Sequence, residues 1–200
     1  MKDGAGRPEL DELLIADPPE AWAALGFTVQ DATVALGGVR IRLGEAGEGI
    51  TGWSLRGVAD GDLAGLATRE SRESPPDPVK HALGASAVDH VVALTPAFDD
   101  TVAKLRAAGL DYRASRDAGN GRQQAFFVLG PCLLELGGPA EGPVRFWGLT
   151  LVVDDLDAAA RQLGDRVGAV RDAVQPGRRI ATVRREAGLS VPLALMTPRA

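Results

Sequence analysis

One stretch of this chain is written twice. LDELLIADPPEAW, residues 10–22, stands 78 positions before VDHVVALTPAFDD, residues 88–100. Both run acid, ionisable residue, apolar run and a proline at a helix start, with Glu12 in one copy and His90 in the other. Self-similarity of this kind constrains architecture more than composition does, because each copy must be one structural unit packed on the next. The first copy continues to ATVALGGVRIRLGEAG at 32–47 and the second to QAFFVLGPCLLELGGP at 124–139. Aligned on Leu-Gly, Gly37 matches Gly130 and Arg42 matches Glu135. A third copy opens at FWGLTLVVDDLDAAARQL, 146–163, and closes at SVPLALMTP, 190–198. GWSLRGVADGDLAGL, 52–66, is a truncated fourth, with Trp53 where the third has Trp147.

Each full copy reads strand, helix, then three strands. The aliphatic run at 91–94 predicts a strand. Thr95-Pro96 supplies a helix cap and a proline at the first helical position. Phe98, Val102 and Leu105 then recur at helical spacing, and Gly109 closes the helix. DYRASR, RQQAFFVLG and PCLLELGG follow, separated by turn residues, and AVRDAV, RRIATVRR and VPLALM take their places in the third copy. The expected fold class is therefore α+β, with tandem βαβββ modules forming curled mixed sheets around a cleft.

RESRESPPDP, residues 69–78, is charged, proline-rich and without apolar periodicity, so it reads as a linker. It divides a degenerate N-terminal region, 1–74, with one full and one truncated module, from a C-terminal domain, 79–200, with modules at about 85–139 and 144–198. The surface carries a net charge of −5, which repels phosphate backbones and argues against nucleic-acid binding. No apolar run approaches the length of a membrane span, and the first residues lack the apolar core of a signal peptide. The expected location is cytoplasmic. The single cysteine, Cys132, excludes an internal disulfide and reads as a buried, inert thiol.

The βαβββ unit, its tandem pairing and the DHVV…LLELGGP frame resemble the vicinal oxygen chelate superfamily, the glyoxalase, bleomycin-resistance and extradiol-dioxygenase group. The likeness is to its glyoxalase-like members. It implies two modules enclosing a cleft, with a divalent metal held by residues on the first and last strands of each. His90 and Glu135 occupy those positions in the second copy, and an imidazole with a carboxylate suits Fe, Mn, Ni or Zn. The third copy departs from the pattern. Gly148, or Trp147 with the alignment shifted by one, stands opposite His90, and Ala194 opposite Glu135, and none of these can ligate a metal through its side chain. In the first copy Glu12 and Arg42 take the two positions and are expected to form a cross-strand ion pair.

Two readings follow. In the first, the chain binds a small, partly apolar molecule in the inter-module cleft, with no metal or a weakly bound one. In the second, it is a metal-dependent lyase, isomerase or dioxygenase using His90 and Glu135 as ligands, with Glu135 also moving a proton. Gln124, Trp147 and Arg179 are expected to line the ligand site. Gln123 competes with Gln124 for the inward position, and Arg178 competes with Arg179. A small-molecule ligand is the expected partner, and a homodimer is admitted. His81, at the exit of the linker, is expected to be exposed or to cap backbone groups.

Overall fold

The computed structural model describes residues 7–199. The expected outer limits at residues 1 and 200 lie outside the described residues. The chain forms two mixed sheets, and one rule generates both. In each copy the first strand pairs in parallel with the last, and copies join through antiparallel first strands.

The second copy comprises β7 (Ala85–Leu94), α2 (Phe98–Ala107), β8 (Asp111–Gly119), β9 (Arg122–Leu129) and β10 (Cys132–Gly138). The third comprises β11 (Arg145–Val153), α3 (Leu156–Leu163), β12 (Arg171–Asp172), β13 (Arg179–Thr182) and β14 (Leu193–Met196). Together they make an eight-stranded sheet in the order β12-β13-β14-β11-β7-β10-β9-β8. β7 runs parallel to β10, β11 parallel to β14, and β7 antiparallel to β11. A parallel pair needs a long crossover, which the helix and the intervening strands provide.

The first copy comprises β1 (Glu9–Ile15), α1 (Pro19–Ala24), β2 (Thr33–Leu36) and β3 (Val39–Arg42). The fourth comprises β4 (Ile50–Arg56), β5 (Gly61–Leu63) and β6 (Leu66–Ser71). Their six-stranded sheet has the order β2-β3-β1-β4-β6-β5. The first copy thus carries two strands after its helix, where three were expected. A long-range contact takes the place of the missing strand, since Thr28 gives its backbone N–H to His81 Nδ1 and its hydroxyl to the Lys80 carbonyl. The fourth copy has no helix between its strands.

Three boundaries differ from the sequence reading. Residues 69–71 belong to β6 rather than to the linker. α2 starts at Phe98 with no side-chain cap, because the Thr95 hydroxyl bonds Ala97 N and Thr101 Oγ1 instead. β12 spans only two residues, and the coil that precedes it replaces a longer strand.

The sheets pack face to face and share one apolar core with the helices, which contribute Trp22, Leu105 and Leu163. Trp53 of β4 meets Phe146 of β11 edge-on, with ring centroids 5.0 Å apart. Gly37 has φ +55, and a Cβ there would lie 2.8 Å from Ala87 Cβ, so glycine lets the β2–β3 turn approach β7. His81 fastens the linker to the first copy, since its Nε2 also bonds the Ala35 carbonyl.

The Glu12–Arg42 pair is present, with Arg42 Nη2 2.7 Å from Glu12 Oε1. Beside it lies a deeper cluster. Asp11, only 3% exposed in its side chain, meets Arg40 at 2.6 Å and Arg56, and accepts from Ser71 Oγ at 2.6 Å. The two sites differ in burial, and stability should follow. Exchanging the charges of Glu12 and Arg42 is expected to change unfolding free energy by about 0–1 kcal/mol. Asp11→Ala strands two guanidinium groups and is expected to cost about 3 kcal/mol, read by chemical denaturation of each variant.

Candidate functional site

Alternation along the strands separates a core face from an open face. Cys132, Leu134 and Leu136 point into the core, so Leu133, Glu135 and Gly137 face outward. His90 pairs with Leu133 and Val92 with Glu135. Glu135 therefore lies on the same face as His90, two residue pairs along the ladder. His90 Nε2 stands 3.9 Å from Glu135 Oε2, and both side chains are nearly buried.

A bulge in β7 adds a third group. His90 pairs with Thr150 and Val88 with Leu151, so Asp89 is the extra residue in the ladder. The bulge brings two consecutive side chains to one face, and Asp89 Oδ2 lies 2.8 Å from His90 Nδ1. Asp89 also meets Arg178 Nη1 at 2.7 Å, deep in the fold, with both side chains 5% exposed or less. Burial pushes the Asp89 carboxyl up, but hydrogen bonds and charge from His90 and Arg178 outweigh it and hold the group below its ordinary value. Arg178 is anchored in turn by Nε and Nη2 on the Thr197 carbonyl, at 2.9 and 2.6 Å. With Nδ1–H given to Asp89, the His90 Nε2 lone pair is left for a ligand.

On the other side, Glu135 Oε1 accepts from Gln124 Nε2 at 2.6 Å, and Gln124 Oε1 accepts from Arg116 Nε at 2.7 Å. One polar chain thus crosses the concave face: Arg178, Asp89, His90, Glu135, Gln124, Arg116. A cavity of about 570 Å³ lies on the Glu135–Gln124 side, walled by Val92, Leu94, Arg122, Arg145 and Trp147. A second, of about 520 Å³, lies on the Arg116–Arg178 side against Phe126 and Leu133.

Of the residues singled out in the sequence, His90, Glu135 and Gln124 come together, and Glu135, Gln124 and Trp147 line the first cavity, with His90 behind Glu135. Arg179 does not. Its alternation partner Ala181 is a core residue, so Arg179 points toward the helix face, where it grips Asp157 of α3 at 3.0 and 2.8 Å. Arg178 takes the inward position instead. Asp89 and Arg116 were missed. Strict alternation places Asp89 opposite to His90, and only the bulge reverses it. Nothing in the residues around Arg116 marks it. His81, buried and bonded to backbone groups, lies at the exit of the linker rather than in the cleft.

The registers of the two modules can be superimposed. In the second copy the last-strand Glu135 pairs with Val92, two residues past His90. In the third copy Ala194 pairs with Thr150, two residues past Gly148. Gly148 and Ala194 therefore occupy the places of His90 and Glu135. A Cβ on Gly148 would lie 3.0 Å from the Pro192 carbonyl oxygen, so the close approach of backbone favours glycine there.

No protein-family model matches the chain, and comparison with curated proteins finds no significant match. Solved structures do match. Methylmalonyl-CoA epimerase from Mycobacterium tuberculosis is 18% identical over 61% of this chain and 94% of that one, with a TM-score of 0.52. A Streptomyces coelicolor methylmalonyl-CoA epimerase in complex with 2-nitronate-propionyl-CoA is 21% identical, over 58% of this chain and 96% of that one, at 0.49. A hypothetical protein from Bacillus halodurans is 14% identical, over 56% and 94%, at 0.48. The fold is that of the vicinal oxygen chelate superfamily. At these identities the likeness concerns the fold alone.

The four equivalent strand positions of the two modules carry His90, Glu135, Gly148 and Ala194. Among the described residues, no group of three His, Cys, Asp or Glu side chains is arranged to hold a metal ion. Asp89 is the one nearby acid, and its oxygens are committed to Arg178 and His90. No helix of the described residues is long and apolar enough to cross a membrane.

Two outcomes follow from the burial of this region. Asp89→Asn leaves the Arg178 guanidinium without its counter-charge and is expected to cost about 3 kcal/mol in a denaturation experiment. Cys132, on the core face of β10, has its thiol pushed up to about 12 by burial, with the charge of Asp89 adding to the effect. At pH 8 it stays protonated, so a disulfide-exchange reagent should label it only after unfolding.

Proposed function

We propose that the chain binds a small, partly apolar molecule in the cleft of its eight-stranded sheet, with His90 and Glu135 as the central polar contacts. The carrying observation is the matched register of the two modules: donors at two of four equivalent positions, small donorless residues at the other two. Glycine at 148 admits the backbone of Pro192, and with alanine at 194 the third copy offers no side-chain donor to complete the His90–Glu135 pair. The apolar wall of Val92, Leu94 and Trp147, with a few convergent polar groups, is the usual make-up of a small-molecule site.

The residues present fit half of a metal site. His90 Nε2 and Glu135 Oε2 can share one divalent ion, Fe, Mn, Ni or Zn, whose remaining positions would fall to water and to the bound molecule. Such an ion would exchange readily, since two protein ligands give little chelation. It would supply Lewis-acid polarisation of a carbonyl oxygen. The Asp89–His90 contact favours this second reading, of a lyase, isomerase or dioxygenase, because a carboxylate behind the imidazole fixes its tautomer and strengthens it as a donor. In either reading Glu135, held by Gln124, is the group placed to accept a proton from a bound molecule.

The same proposal takes residues 1–74 as a degenerate, packing half and 79–200 as the ligand-binding half. It places the protein in the cytoplasm as a binder of small molecules, with a homodimer admitted.

The test combines elemental analysis of untagged protein with a ligand screen by thermal shift on the unaltered protein, His90→Ala and Glu135→Ala. Metal is expected to leave on dialysis against a chelator. Ligands that stabilise the protein are expected to lose that effect in both variants. Stoichiometric metal that survives dialysis would favour the enzyme. Unchanged binding in both variants would remove His90 and Glu135 from the site.

A further inference from the structure

The cavity on the Glu135 side has a chemistry of its own. Among the described residues Trp147, 52% exposed, and Val174 are the exposed large apolar side chains. The exposure of Trp147 has a local cause. A register shift in β11 between Phe146 and Gly148 leaves Phe146 on the core side against Trp53 and turns the next ring outward over the cavity. The indole faces Val92, Leu94 and Pro139 across this space. An exposed indole on one side of an apolar slot gains from stacking with a flat partner.

Two arginines, Arg122 and Arg145, stand at the mouth of this cavity. Net charge is −5, and Arg40, Arg42, Arg56, Arg178 and Arg179 each have a carboxylate partner within 4 Å. Arg122 and Arg145 border the cavity and form no such pair among the described residues. Arg145 is nonetheless held in place, because its Nη1 donates to the carbonyls of Glu141 at 2.6 Å and Pro143 at 3.2 Å. Backbone carbonyls orient a guanidinium without cancelling its charge, which leaves its other N–H groups for an anion. Two carboxylates also border the cavity. Glu135 lies at the inner end, occupied by Gln124 and facing His90, and Glu141 is exposed at the rim. An anionic group is thus repelled from the inner end and favoured at the mouth.

We infer that this cavity takes a planar, apolar-bodied monoanion, a carboxylate on an aromatic or conjugated frame, with its frame against Trp147 and its carboxylate between Arg122 and Arg145. The inference rests on the proposal that the cleft binds a small molecule, and it adds the class and the direction of that molecule. The frame enters first, toward Glu135 and His90, and the charge stays outside.

The test uses the full chain and two probes of the same shape, trans-cinnamate and its neutral amide, in isothermal titration calorimetry. Trp22 and Trp53 are fully buried, so Trp147 emission excited at the red edge reports the same event. Cinnamate is expected to bind about tenfold more tightly than cinnamamide, the effect of one charge-assisted contact at a partly exposed site. Arg122→Gln with Arg145→Gln, both at exposed positions, is expected to leave the melting temperature unchanged. It should reduce cinnamate to the affinity of the amide and leave the amide as it was. Trp147→Ala should weaken both probes. Equal binding of the two probes, lost in Trp147→Ala, would overturn the anion while retaining the cleft as a binding site. Cinnamate binding that survives the double arginine change would overturn the mouth. Absence of both heat and a Trp147 emission change with either probe would overturn the inference alone, since the thermal-shift screen decides the binding reading separately.

Discussion

The parallel pairing of first and last strands within each copy is the constraint on which the rest of the structure depends. It brings residue 90 beside residue 135 although 45 residues separate them, and residue 12 beside residue 42 in the same manner. Parallel strands cannot be joined by a tight turn, so each pair needs a crossover. Where the crossover carries a helix, the helix covers one face of the sheet and adds to the core. The opposite face of the eight-stranded sheet is left concave, and the cleft is built there. Ionisable groups facing the cleft need no place in the apolar core.

A second device acts on the same strands. Asp11 in β1 and Asp89 in β7 hold the same place in the repeated motif, and each is the extra residue of a bulge. Each is nearly buried, and each is neutralised by arginine brought from elsewhere in the chain: Arg40 and Arg56 for Asp11, Arg178 for Asp89. A buried carboxylate without such a partner would cost several kcal/mol. The copies then diverge. In the first, Glu12 closes onto Arg42, and Arg40 reaches the Ser74 carbonyl of the linker, so the polar groups satisfy one another. In the second, His90 and Glu135 stand 3.9 Å apart, too far for a hydrogen bond, with cavities beside them. One backbone plan thus carries a closed ion-pair cluster in one half and an open polar site in the other.

The polar chain across the concave face joins these two themes. Its ends are arginines, and its centre is the imidazole and carboxylate. Each link fixes the orientation of the next: Thr197 holds Arg178, Arg178 holds Asp89, and Asp89 holds His90. Orientation of this kind matters at a binding site, because a pre-set donor loses little freedom when a ligand arrives.

The repeat in the sequence determined the element order, the tandem arrangement, the adjacency of His90 with Glu135 and the ion pair of Glu12 with Arg42. It also determined that the third copy lacks donors at Gly148 and Ala194. These properties are local or periodic: turn residues, apolar alternation and a fixed spacing write them into the chain. Other features depended on contacts between distant segments. The contact of His81 and Lys80 with Thr28 takes the place of the missing strand of the first copy. The choice of Arg178 over Arg179 follows from which face of β13 meets α3. Asp89 joins His90 only because the β7–β11 ladder slips by one residue, a change that reverses the side of every residue before it and leaves no trace in composition. The sequence by itself settled which residues share a strand position, and the tertiary structure alone decided which of them share a face.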